Sequence, residues 1–353
     1  MEHDTSRMNA ILFLLAALGL SARAQGLPVD FDRGAEPKLA LQAAREAAGA
    51  SAPRPAVDAS RGADSGLSLS GTDCAVLERQ ASALASWKAR LGEAPSSAPA
   101  CRCDAGSCSV EVDAVVPEMV RAFHGLRAGR WGPNCWNAAL VAAKILPVAR
   151  FSPPEEMTFW MESPLCRALG DGEPPSPGDI VAIRDKADAE VHGFVYVSDE
   201  LSFSKNYLTA AAPYELQPAE QVFGEFPVAR PCRKLSGSST RQCPAYAGVF
   251  RCRTLGDYIA SLGRPLSEDY TAAERDVRAA ESEVSALEFG WKADPALHAR
   301  GPETLAAVQS RLPGLRARVE EQMQSPAVPK DEGFLWLGLL HRIDGIQASI
   351  AWF

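Results

Sequence analysis

The stretch Gly132-Pro133-Asn134-Cys135-Trp136-Asn137-Ala138-Ala139-Leu140 decides the fold of the chain around it. Pro133 has no backbone N–H and suits the residue just outside a helix. Asn134 is a strong N-cap type. Ala138, Ala142 and Ile145 then recur at helical spacing and line one apolar face. A helix therefore starts here, with Cys135 in its first turn. A thiol in that place sits at the positive end of the helix dipole, beside unpaired N–H groups. Both favour thiolate, the nucleophilic form. A buried or disulfide-bonded cysteine is the competing assignment for this segment alone.

Cysteine arithmetic separates the two. The chain has nine: Cys74, Cys101, Cys103, Cys108, Cys135, Cys166, Cys232, Cys243 and Cys252. Eight can pair as four disulfides, and one is left over. An odd cysteine in an exported protein is intermolecular or reactive, and Cys135 is the one with a helix-start context. Cys103 and Cys108 flank the turn residues Asp104-Ala105-Gly106 and are the first expected pair. Cys232 and Cys243 flank a Gly/Ser loop and are the second. Zinc is the rival for Cys101, Cys103, Cys108 and His124. The spacing is not that of a finger, and disulfides are favoured in an oxidising compartment. No metal and no cofactor is assigned.

Ile11 to Leu20 is an apolar run behind Arg7, and Ala22-Arg23-Ala24 fits the small-x-small cleavage pattern. Residues 1–24 thus read as an export signal, which places the mature protein in the periplasm or outside the cell. No later segment reads as a membrane span: Phe334 to Phe353 is apolar, but His341, Arg342 and Asp344 interrupt it. The net charge of −8 argues against a general nucleic-acid binder. Residues 25–70 are rich in Ala, Pro, Gly, Ser and Asp and read as a disordered linker. Residues 71–262 read as an α+β domain with a disulfide-stapled start. Residues 263–353 read as a helical module, with Pro302 and Pro313 punctuating separate helices and no partner identified for it.

Within the α+β part, Asp73 caps a helix running to Leu91, and residues 101–115 read as a hairpin. Pro177-Gly178-Asp179 turns into a strand over Ile180 to Ile183. His192-Gly193-Phe194-Val195-Tyr196-Val197 is a second strand and Leu201 to Asn206 a third. A three-residue turn at Ser198-Asp199-Glu200 pairs Val197 with Leu201, Phe194 with Ser204 and His192 with Asn206. Opposed side chains have Cβ atoms about 4.5–5.5 Å apart, so the amide of Asn206 reaches the imidazole. A two-residue turn pairs His192 with Tyr207 instead. Asp-Glu lacks the glycine such turns favour.

Cys135 on a helix start, His192 on a strand start and a polar orienter on the next strand form a nucleophile–base–orienter set. Asn206 is the orienter, with Ser204 as its alternative. Lys205 reads as a solvated edge residue and Asp179 as a turn former. The backbone N–H of Cys135 is the candidate oxyanion donor.

This order of motifs resembles the papain-like cell-wall hydrolases of the NlpC and CHAP type: Asn134-Cys135 opening a helix, Pro177-Gly178-Asp179-Ile180 opening a strand, then His192-Gly193-Phe194-Val195-Tyr196. The likeness covers about 135 to 207, roughly a fifth of the chain. CHAP domains carry Glu-x-Asn on the following strand, and Ser204-Lys205-Asn206 occupies that place, with serine where the acidic residue stands. The resemblance implies a papain-like fold, in which a helix carrying the cysteine packs on a small antiparallel sheet. It also implies hydrolysis of amide bonds in peptidoglycan peptides by Cys135, His192 and Asn206, without a cofactor. A transglutaminase-like acyl transferase is the first rival. It usually has a His-x-Trp strand, whereas Phe194 stands here. An inactive disulfide-rich scaffold with a partner-binding tail is the second. Thiol labelling without reductant, followed by peptide mapping, is expected to modify Cys135 alone. A disulfide at Cys135 removes the nucleophile.

Overall fold

The computed structural model describes residues 58–61 and 66–353, apart from 95, 98, 130–131, 171, 208–211, 234–242 and 292–293. The export signal, most of the linker and Trp131 lie outside the described residues. The described part belongs to one compact unit spanning 48–353. It has an α+β architecture.

The chain opens with β1 (Asp58–Arg61), β2 (Leu67–Gly71) and α1 (Cys74–Arg90), then the hairpin β3 (Arg102–Asp104) and β4 (Ser107–Glu111). Helices α2 (Glu118–Phe123), α3 (Cys135–Ala142) and α4 (Pro154–Met161) follow. Next come β5 (Cys166–Ala168), β6 (Ile180–Asp185), β7 (Glu190–Tyr196), β8 (Leu201–Ser204) and β9 (Glu215–Pro218). After α5 (Ala219–Glu225) and β10 (Ala245–Cys252), four helices close the chain: α6 (Leu255–Ser261), α7 (Glu268–Gly290), α8 (Pro295–Gln324) and α9 (Gly333–Ala351).

Two antiparallel sheets result, in strand orders β1-β2-β4-β3 and β5-β10-β6-β7-β8-β9. β1 and most of β2 thus fall within the stretch that composition read as linker. Leu67 and Leu69 alternate into the core from β2, and that burial orders a segment that looked polar and small. Asp73 caps α1 through its carboxylate and the Ala75 N–H at 2.8 Å. The disulfides are Cys74–Cys101, Cys103–Cys108, Cys166–Cys252 and Cys232–Cys243, which include both expected pairs. Cys135 is the free cysteine.

The large sheet divides the core. On one face Ile180, Ala182, Val195 and Phe203 pack against α3 and α4. On the other, Val181, Ile183 and Phe194 pack with Val222, Tyr246 and Val249. The last helices pack into the same core as the rest of the described chain. Val277, Val308, Leu339 and Ile343 share one continuous cluster with Trp87, Leu140 and Trp160. Pro302 and Pro313 do not split α8, which runs unbroken for 30 residues. Each proline removes a ladder bond. Val308, Leu312 and Val319 hold the helix on the core regardless.

Arg150 joins the tail to the rest. It is wholly buried, with Nε donating to Glu281 of α7 at 3.0 Å and both Nη atoms donating to Glu156 of α4 at 2.9 and 2.7 Å. Glu281 also accepts from Arg342 of α9 at 3.1 and 2.7 Å. The guanidinium of Arg150 passes where a side chain at Gly345 would stand. Replacing a helical glycine with alanine ordinarily gains about 1 kcal/mol of helix propensity. At Gly345→Ala the sign is expected to reverse, with a lower urea midpoint, because the methyl displaces a buried charge from its partners. An unchanged or higher midpoint removes this account of Gly345.

Candidate active site

The helix start that carries Cys135 is built by amides. Asn134 takes an extended backbone, and its side-chain oxygen accepts the Asn137 N–H at 3.2 Å. Its Nδ2 donates to the Ser152 carbonyl at 2.7 Å. Asn137 donates to Ser152 Oγ at 3.1 Å and accepts the Arg150 N–H at 3.0 Å. The first turn of α3 is thereby bound to the segment that anchors Arg150.

Cys135 is 7% exposed. The N–H groups of Gly193, Trp136 and Cys135 itself reach the sulfur, and the Lys205 ammonium acts on it. All of these favour thiolate, as the helix start led one to expect. Burial outweighs them and pushes the thiol up to about 11. The resting group is therefore the neutral thiol, not the thiolate expected from the helix dipole. Its labelling near pH 8 is slow, because the sulfur is buried and little of it is thiolate.

The hairpin register is the one the three-residue turn gives: Val195 pairs with Phe203 and Tyr196 with Ser202. His192 is fully buried and its Nε2 lies 3.1 Å from Ser204 Oγ. Ser204 Oγ donates to Asn206 Oδ1 at 2.8 Å. Asn206 Nδ2 donates to Glu225 Oε2 at 2.8 Å and to Gln217 Oε1 at 3.1 Å. The chain has a direction. A carboxylate only accepts, so the nitrogen of Asn206 faces Glu225 and its oxygen faces Ser204. The Ser204 proton is then committed to Asn206, and Oγ accepts from His192 Nε2–H. The proton sits on Nε2, and Nδ1 carries a lone pair with no hydrogen-bond partner among the described residues. Phe226 stacks on the ring at 3.8 Å with planes 8° apart. Burial holds the imidazole neutral, down at about 3. Ser204, not Asn206, is the direct partner; Asn206 acts through it.

Cys135 and His192 approach β7 from opposite faces of the large sheet. Gly193 faces α3, where a Cβ would meet Trp136 Cδ1 at 3.5 Å and Ala139 Cβ at 3.8 Å. His192, one residue earlier, shares the far face with Phe194. β8 ends at Ser204, so the Gly193 N–H, which antiparallel alternation aims at β8, turns to the sulfur instead. Among the described residues no hydrogen bond joins the thiol to the imidazole. The side chain on the Cys135 side is Lys205. It is fully buried rather than solvated, donates to the Tyr207 carbonyl, and is lowered to about 8 by burial.

Sequence patterning missed Gln217, Glu225 and Phe226, which no local motif marks. It also missed Glu288, which lies on the apolar stripe of α7 with Val277, Val284 and Leu287. A carboxylate on that stripe was the available signal. Glu288 accepts the Phe151 N–H at 3.3 Å, and burial pushes it up to about 8. Asp179 is structural, as expected: it accepts from Arg90, Arg251 and the Ser176 N–H. His124 is not part of a zinc set, since its Nδ1 accepts the Leu216 N–H at 3.2 Å. A cavity of about 370 Å³ lies at the other end of α3, walled by Trp87, Ala143, Leu165 and Arg251, and includes neither Cys135 nor His192.

Compared with protein-family models, with curated proteins and with solved structures, the chain matches none.

Glu288 gives the fold a pH dependence with a definite sign. Its carboxyl is protonated in the fold up to about pH 8, while the unfolded chain ionises near 4.5. Its stabilising contribution is therefore complete below 4.5 and is lost as pH rises towards 8. Thermal unfolding between pH 5 and 9 is expected to show a shallower alkaline loss in Glu288→Gln than in the parent chain. Parallel curves remove this assignment.

Proposed function

We propose that the chain is a cysteine amidase or peptidase of the extracytoplasmic space, acting on amide bonds of peptidoglycan peptides. Cys135 is the nucleophile and His192 the base. Ser204, Asn206 and Glu225 hold the base in its working tautomer. The thiol proton passes to Nδ1 of His192 as sulfur attacks the amide carbonyl carbon. The N–H of Cys135 stabilises the oxyanion. The imidazolium returns the proton to the leaving amine, and water, activated by the same nitrogen, then hydrolyses the thioester.

The observation that carries this proposal is the one-way hydrogen-bond chain from Glu225 to His192. It leaves Nδ1 bare among the described residues, on the residue next to Gly193, whose N–H touches the thiol sulfur. A merely structural histidine in an apolar core would be expected to use both nitrogens. The peptidoglycan substrate is drawn from the likeness of the Cys135, Gly178-Asp179 and His192 motifs to the NlpC and CHAP type. Four disulfides support an oxidising compartment. No helix among the described residues is long and apolar enough to cross a membrane.

One observation favours a second reading, the inactive scaffold. Cys135 and His192 are closed to solvent, and the described cavity opens elsewhere. A digest of purified peptidoglycan, read by mass spectrometry of released fragments, separates the two. The active enzyme is expected to release amide-cleaved peptides, and Cys135→Ala to abolish release while keeping the fold. Its pH profile has no acid limb near 6, because the base is neutral at any pH above about 3. No turnover in the parent chain leaves the scaffold, and turnover unchanged in Cys135→Ala removes Cys135 as the nucleophile.

A further inference from the structure

The four cysteines at the start of the domain do more than staple it. Cys74–Cys101 and Cys103–Cys108 are separate disulfides, yet the sulfurs of Cys74 and Cys103 lie 3.3 Å apart. All four sulfurs fall within 4.8 Å of one another, and no other such cluster occurs among the described residues. Thiol–disulfide exchange needs a thiolate against a disulfide sulfur, with a good leaving group behind it. Cys74 supplies the thiolate. It is the first residue of the 17-residue helix α1, at the positive end of the helix dipole, where the Asp73 carboxylate caps the Ala75 N–H. Cys103 is exposed on the short strand β3, while its partner Cys108 is buried. Cys74 and Cys101 are both partly exposed, so an external thiol reaches their bond.

We propose that these four residues form a thiol–disulfide exchange site for an external dithiol, and that its two-electron-reduced state carries a Cys74–Cys103 disulfide. One thiolate of the dithiol attacks the Cys101 sulfur and the Cys74–Cys101 bond breaks, releasing the Cys74 thiolate. The second thiol of the dithiol displaces Cys101, which leaves as a thiol, and the dithiol departs as a disulfide. The Cys74 thiolate attacks the Cys103 sulfur, a Cys74–Cys103 bond forms, and the Cys103–Cys108 bond breaks. Cys108 leaves as thiolate and takes a proton. Two electrons have passed from the dithiol to the cluster, which now holds one disulfide and the thiols of Cys101 and Cys108. The site is independent of Cys135.

The test uses the full chain as Cys135→Ala, treated with one equivalent of dithiothreitol, quenched in acid, alkylated and peptide-mapped. Expected are a peptide pair linked through Cys74 and Cys103, and label on Cys101 and Cys108. Cys101→Ser tests the step directly: its Cys74 is expected to capture Cys103 as the main linkage and free Cys108. Labelled Cys74 beside an intact Cys103–Cys108 bond in that variant overturns the proposal. Should Cys101→Ser misfold, the Cys101→Ser/Cys108→Ser variant decides. It is expected to form the Cys74–Cys103 disulfide in air, and two free thiols there overturn the proposal equally.

Discussion

A guanidinium keeps its proton inside a protein, so a buried arginine dictates what must surround it. Arg150 is such a group. Its two carboxylates come from α4 and from α7, and the second of these is shared with Arg342 on α9. Removing one partner of a buried pair costs about 3–5 kcal/mol, because a charge is then left without an answer. The closing helices are thus bound to the loop that shapes the Cys135 helix start. Asn137, which receives the Arg150 N–H, is the link between that buried charge and the first turn of α3.

The same dryness sets the state of the site. Burial lifts the thiol of Cys135 and Glu288 and lowers His192 and Lys205, so each moves towards its uncharged form. At neutral pH the thiol, the imidazole and Glu288 rest uncharged, while Lys205, at about 8, still carries its proton. Fixed N–H groups around sulfur are already in place for negative charge there, without solvent to reorganise.

Local rules carried much of this from residues alone. The Asn134 cap, the Asp73 cap, the Cys103–Cys108 and Cys232–Cys243 pairs and the His192 hairpin register each depend on neighbours within a dozen residues, where spacing and turn chemistry decide. What stayed hidden depends on long-range packing. Lys205 lies in a polar stretch, and only the approach of α3 and α7 buries it. Glu225 meets Asn206 across 19 positions through a helix that folds back. The prolines of α8 read as stops because propensity is local, while the core that overrides them is not. Which sheet face His192 occupies was fixed by alternation. Which face the Cys135 helix covers was not, since no residue pattern states where a helix docks.

The covalent map adds an asymmetry. Cys166–Cys252 closes a ring that contains His192, Ser204, Asn206 and Glu225, with Cys232–Cys243 nested inside it. Cys135 lies between Cys108 and Cys166, in a stretch no ring encloses. A cross-linked segment has less chain entropy to gain by opening. The two halves of the candidate site therefore differ in how freely they come apart: the imidazole side is held by covalent topology, and the thiol side only by packing and hydrogen bonds. Partial opening of the fold, where it begins at this site, begins with the helix that bears the sulfur.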